Sequence, residues 1–187
     1  MKLAIFERKT LKKGETKRIR REGGIPALLY GASKAVRHIY VQGAEFQALL
    51  RHIPAGTLAT TVFELGDGAE PIAAIVKDIH YHVVDYSIQH LDFLLLDKNV
   101  PVTVNVPIQV VGTAECPGIK LGGNLRQVVR TLKVRCLPAH IPSAFQLDVG
   151  LMQMAESKRL SDIALPSTLR SLAEMREVVV VIAKQKQ

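Results

Sequence analysis

Apolar and polar positions alternate along most of the chain in short stretches, each ended by glycine, proline or a polar turn. That period of two predicts strands. Residues 2–7 alternate weakly and give a first strand. Residues 15–22, ETKRIRRE, are nearly all charged, and only Ile19 is available for burial. Gly23 and Pro26 follow as stop signals, so a short helix is expected. A helix of this length is marginal in water and is expected to be fixed by its ligand. Residues 26–30 and 36–41 read as strands around a turn at 31–34. Phe46, Leu49, Leu50 and Ile53 fall at i, i+3, i+4 and i+7, one stripe of a helix that Pro54 and Gly56 end. Strands at 60–65 and 71–81 flank the hairpin signal Gly66, Asp67, Gly68, and a strand at 87–95 follows a turn at 83–86.

Past a polar break at Asp97, Lys98 and Asn99 the texture changes. Val102, Val104, Val106, Ile108 and Val110 alternate strictly, with Pro101 and Pro107 on the other face, where proline suits an edge strand or a bulge. Residues 125–137 predict one long strand after the turn pair Gly122 and Gly123. Strands at 144–149, 158–165 and 177–184 and one or two helical turns at 150–157 complete this half. The pattern predicts a mainly β protein with short helices, in two domains at 1–96 and 97–187.

Composition narrows the class. With 48% hydrophobic and 22% charged residues in 187, the chain is globular in character. Its longest apolar run, 178–183, is far short of the ~18 residues a membrane span needs. Charge returns after four apolar residues in MKLAIFERKT, so no secretory signal is expected. Two cysteines, Cys116 and Cys136, make neither a disulfide framework nor a four-cysteine zinc site, and a cytoplasmic setting is expected.

Charge is more telling. The chain carries 25 Lys+Arg against 17 Asp+Glu, a net of +8. Residues 1–40 hold eleven basic and three acidic side chains, while residues 41–187 hold fourteen of each. Excess charge gathered at one end is the footprint of a polyanion partner. Taken as the state of the second half, the even balance predicts contacts there that are not driven by phosphate alone.

Candidate phosphate contacts are Arg8, Lys9, Lys12, Lys13, Lys17, Arg18, Arg20 and Arg21. Lys17, Arg20 and Arg21 share one side of a helix, and Ile19 faces elsewhere as its anchor. Arginine offers bidentate phosphate contacts and lysine a point charge. About six to ten such contacts would cost roughly three to five decades of affinity between 50 and 200 mM salt.

The hairpin at 76–95 is the other candidate. Asp78, His80 and His82 share a face of its first strand, and His90 and Asp92 point away from Leu91, Phe93 and Leu95. Imidazoles and carboxylates on one sheet suit either a metal-dependent hydrolase or a polar surface that meets RNA. Nothing of HExxH type supports the metal, and GxSxG, GxGxxG and GxxxxGK[ST] are all absent. Catalytic residues, a cofactor, a small-molecule substrate and a membrane partner are therefore not expected.

Two stretches taken together, RKTLKKGETKRIRREGGIPALLYG at 8–31 and VKDIHYHVVDYSIQHLDFL at 76–94, resemble the bacterial large-subunit ribosomal protein family number twenty-five. GIKLGGNLRQVVRTLKVRCLPAHIPSAFQLDV at 118–149 resembles the second half of its longer Ctc general-stress type. The resemblance implies an N-terminal six-stranded β-barrel followed by a β-rich C-terminal domain. It implies 5S rRNA as the partner, in the central protuberance of the large ribosomal subunit, and no catalysis. Ribosome association in the cytoplasm follows, with the second domain touching neighbouring ribosomal proteins or rRNA. RNA contact carries over to Arg8, Lys9, Lys13, Lys17, Arg18, Arg20, Tyr30, His90 and Asp92. The chain departs from the family at Lys77, where glutamine is common, and at Tyr81, where arginine is frequent. Lys77 stays a phosphate-contact candidate, either re-aimed by a bulge or sitting at the barrel rim, and His80 stays a candidate on its place in the hairpin. The rival reading is a stress-response adaptor that binds a protein through the C-terminal domain.

Overall fold

The computed structural model describes residues 1–8, 13–31, 35–66, 71–166 and 168–184. The chain divides into two compact units, Met1–Val102 with Leu137–Ala139, and Thr103–Cys136 with His140–Gln187.

The first unit runs β1 (Lys2–Ala4), β2 (Phe6–Glu7), α1 (Lys13–Arg21), β3 (Gly24–Tyr30), β4 (Arg37–Gln42), α2 (Gly43–His52), a 3-10 turn at Leu58–Thr60, β5 (Val62–Gly66), β6 (Ile72–Tyr81) and β7 (Ile88–Leu95). The seven strands make one sheet, ordered β1-β5-β6-β7-β3-β4-β2. Only Ile5 separates β1 from β2, yet they lie at opposite ends of that order. β1 pairs parallel with β5, and β2 pairs antiparallel with β4. The N-terminal strand thus bends at Ile5 and takes both edges, which brings the sheet nearly to closure as a barrel, with seven strands where six were expected.

The barrel interior is built by the alternation read above. Ile25, Ala27 and Leu29 of β3, Ile39 and Val41 of β4, Phe63 and Leu65 of β5, and Leu91, Phe93 and Leu95 of β7 are buried in one cluster. α2 adds Phe46, whose ring lies 6.2 Å from that of Phe63, and Phe63 meets Phe93 edge-on at 6.3 Å. Edge-on aromatic pairs add to the burial they already supply.

The second unit contains β8 (Val102–Val111), α3 (Pro117–Lys120), β9 (Gly123–Gln127), β10 (Thr131–Cys136), β11 (Phe145–Asp148), β12 (Ser157–Arg159), β13 (Arg170–Ser171) and β14 (Val178–Lys184). It has two sheets, ordered β11-β8-β10-β13 and β12-β14-β9.

Several elements differ from expectation. The single strand at 125–137 is two, β9 and β10, in different sheets. The chain turns the corner at 128–130, where the Val128 and Val129 amides both donate to the Val179 carbonyl and the Gln127 side-chain amide donates to the carbonyls of Ile108 and Val129. Residues 158–165 hold only the end of β12 and a 3-10 turn, Leu160–Asp162, which starts where the Arg159 amide donates to Asp162 at 2.8 Å. Residues 150–156 form turns and no helix, and a four-residue helix, α3, precedes the turn at Gly122. Pro107 is buried in an interior strand, not at an edge. It is tolerated because pairing with β11 begins at Ile108, one residue beyond it. The expected hairpin residues Asp67 and Gly68 lie outside the described residues.

Candidate nucleic-acid interface

α1 is held to the barrel by one apolar side chain and two guanidinium groups. Ile19 is 4% exposed and anchors the helix. The Arg20 Nε and Nη2 groups donate to the Gln89 carbonyl at 3.2 and 3.0 Å, which ties the helix to β7. Gly23 ends the helix at φ +81°, a left-handed conformation that costs glycine little. A Cβ on Gly24 would stand 2.7 Å from Ile19 Cγ2, so glycine there lets the helix settle on β3. Arg8 braces the other end, with its Nη2 donating to Thr16 Oγ1 at 2.8 Å and its amide to the His38 carbonyl.

The predicted basic residues therefore divide. Arg8 and Arg20 hold the helix in place. Arg18 faces Glu22 at 3.6 Å, with both side chains well exposed, an ion pair of little weight. Lys13, Lys17 and Arg21 are exposed and form no ion pair or hydrogen bond among the described residues. Lys9 and Lys12 lie outside the described residues.

The barrel wall beside α1 carries the polar candidates. The β6–β7 ladder shifts register between Val76 and Asp78, so Lys77 is the extra residue of a bulge and is exposed. Up to Val76 the even-numbered residues Ala74 and Val76 face the core; beyond the bulge Ile79 does. The shift turns Asp78 and His80 outward, opposite Asp92 and His90. The His80 and His90 rings meet edge-on at 6.0 Å, and His90 Nδ1 lies 2.8 Å from Asp92 Oδ1. Burial pushes the His90 imidazole below its ordinary value, with His80 and Arg20 adding to the effect and Asp92 opposing it. An ionised carboxylate only accepts, so neutral His90 donates from Nδ1 and presents Nε2 as an acceptor. Tyr30 of β3 joins the group. Burial first, then the charges of Asp92 and Asp78, raise its hydroxyl above the usual value, so it remains a neutral donor.

His82, grouped at first with these residues, belongs to the turn instead. Its Nδ1 lies 2.8 Å from Asp85, whose carboxyl is lowered chiefly by hydrogen bonds from the Ser87 hydroxyl and amide. No three His, Cys, Asp or Glu side chains among the described residues are placed to hold a metal ion.

Two aromatic side chains of the outer wall, Phe6 and Tyr40, were not singled out from the sequence. Tyr40 lies opposite Pro26 and opposite Phe6, and stacks on the Phe6 ring at 5.1 Å. His38 and Tyr40 alternate with buried Ile39 and Val41, which was the signal for an outward face on β4.

The sequence matches known families over most of its length. Residues 3–93 match the Ribosomal L25p family, and residues 101–186 match the Ribosomal protein TL5, C-terminal domain. The chain belongs to the bL25 family. Large ribosomal subunit protein bL25 of Chlamydia trachomatis serovar L2 is 42% identical over 185 residues, covering 99% of this chain and 100% of that protein. The bL25 proteins of Chlamydia muridarum and Chlamydia pneumoniae are 40% and 38% identical over the same coverage. The bL25 family is structural and not enzymatic, so the hydrolase alternative is withdrawn.

Proposed function

We propose that this chain is a structural component of the large ribosomal subunit, in the cytoplasm, and that its first unit binds 5S rRNA through α1 and the outer face of β3, β6 and β7. One observation carries the reading. Arg20 docks a cationic helix directly against the strand that presents His90 and Asp92. Phosphate-seeking and base-reading groups thereby share one surface. The two halves of that surface have different chemistry. Lys13, Lys17, Arg18 and Arg21 attract phosphate and position the RNA. Asp78 and Asp92 lie directly opposite each other and repel phosphate. Carboxylates there, with the His90 Nε2 acceptor, suit base amino groups and 2′-hydroxyls instead.

Filter binding of the full chain to purified 5S rRNA across a salt series tests this. The logarithm of affinity is expected to fall linearly with the logarithm of salt concentration. Lys17→Ala with Arg18→Ala is expected to make that slope shallower by about two. Salt-insensitive binding, or an unchanged affinity in the double variant, would refute the reading.

A further inference from the structure

The even charge balance over residues 41–187 is not that of the second half. Residues 41–96 hold two basic and seven acidic side chains, whereas residues 97–187 hold twelve basic and seven acidic, a net of +5. The expectation of a near-neutral second half is corrected accordingly. Part of this charge is gathered at one place. Along β10, Lys133 and Arg135 alternate with buried Leu132, Val134 and Cys136, so both stand on the exposed face. β13 is the end strand of that sheet, and its Arg170 lies directly opposite Arg135. Directly opposed residues share a face, with Cβ atoms about 5 Å apart, and like charges so placed cost stability. The ladder continues with the Leu172 amide donating to the Lys133 carbonyl, and Leu172 is 51% exposed.

No ion pair among the described residues neutralises this group. The Lys133, Arg135 and Arg170 side chains form no ion pair or hydrogen bond among the described residues. Asp148 is on the end strand at the far side of the sheet and already accepts from the Gly150 amide. A docked protein would look for an aromatic anchor. Phe145 is the single aromatic residue in 97–187, and it is buried. Two guanidinium forks and an ammonium, exposed and unpaired, suit phosphate oxygens.

We infer that the β10–β13 edge, through Lys133, Arg135 and Arg170, is a second RNA-backbone contact, distinct from the surface of the first unit. It rests on the reading that the chain sits in the large subunit, and it names what the second unit touches there. The test uses the full chain with Lys133→Gln, Arg135→Gln and Arg170→Gln together, beside a charge-keeping variant, Lys133→Arg, Arg135→Lys and Arg170→Lys. Each is titrated against purified 5S rRNA and against large subunits stripped of their native copy, from 50 to 200 mM salt. The neutral variant is expected to bind 5S rRNA as the unaltered chain does. It is expected to bind stripped subunits about tenfold more weakly, with a salt slope shallower by two to three, and the charge-keeping variant to restore both. Cys116 and Cys136 are buried, so Leu172→Cys supplies a thiol for a photo-crosslinker, expected to capture rRNA. Equal binding of neutral variant and unaltered chain to stripped subunits at every salt overturns the inference, as does a crosslink to ribosomal protein alone. Failure of the unaltered chain on 5S rRNA, with the neutral variant still impaired on subunits, refutes only the first-unit reading. Failure of the unaltered chain on stripped subunits overturns both.

Discussion

His90 couples the stability of the barrel to pH. Burial, aided by His80 and Arg20, lowers its imidazole in the folded chain, against an ordinary value near 6.5 when unfolded. The folded state thus favours neutral His90. As pH falls below about 6.5 the unfolded chain takes up the proton first, and the contribution is lost as pH passes through the lower, folded value. Melting temperature measured from pH 7.5 to 5 is expected to fall, and His90→Gln to flatten that fall. A second prediction concerns Ile19, the buried residue of α1. Truncating a buried isoleucine to alanine typically costs about 2–5 kcal/mol. Here the helix can lift away instead, so Ile19→Ala is expected to speed amide exchange in α1 and weaken RNA binding while the melting point moves little. The role of Ile19 was legible because every neighbour in ETKRIRRE is polar. The strut role of Arg20 was not, because its acceptor is a backbone carbonyl 69 positions away.

At the scale of elements, the barrel strands were legible where one face is buried and the other wet, as in β3, β4 and β7. The corner at 128–130 was not, because Val128 and Val129 carry the apolar texture straight through it and a glutamine side chain secures the turn. The bulge at Lys77 was foreseen only as one way to turn that side chain outward. Its structural meaning is that it resets the phase between Val76 and Ile79. Deleting Lys77 is expected to leave a regular ladder with Asp78 and His80 still outward. Circular dichroism should then show a folded barrel, and any loss of 5S rRNA affinity reports the lost side chain. The N-terminal strand lends itself to a harsher test. Removing residues 1–7 frees the edges of β5 and β4 together. Exposed edges template further pairing, so light scattering is expected to show association and the melting point to drop.

For the whole molecule, opposite charge balances in residues 41–96 and 97–187 mean that net charge says little about where RNA is met. A fragment ending at Val102 is expected to keep its 5S rRNA affinity and to lose affinity for stripped subunits, which sedimentation can read. The bend at Ile5 has a consequence in time as well. Residues 2–4 find their partners at residues 64–66, some sixty positions further along the chain. Long-range pairings of this kind slow folding because the intervening chain must first be gathered in. The β1 edge of the sheet therefore cannot close until β5 has been brought back to it across the intervening strands and helices.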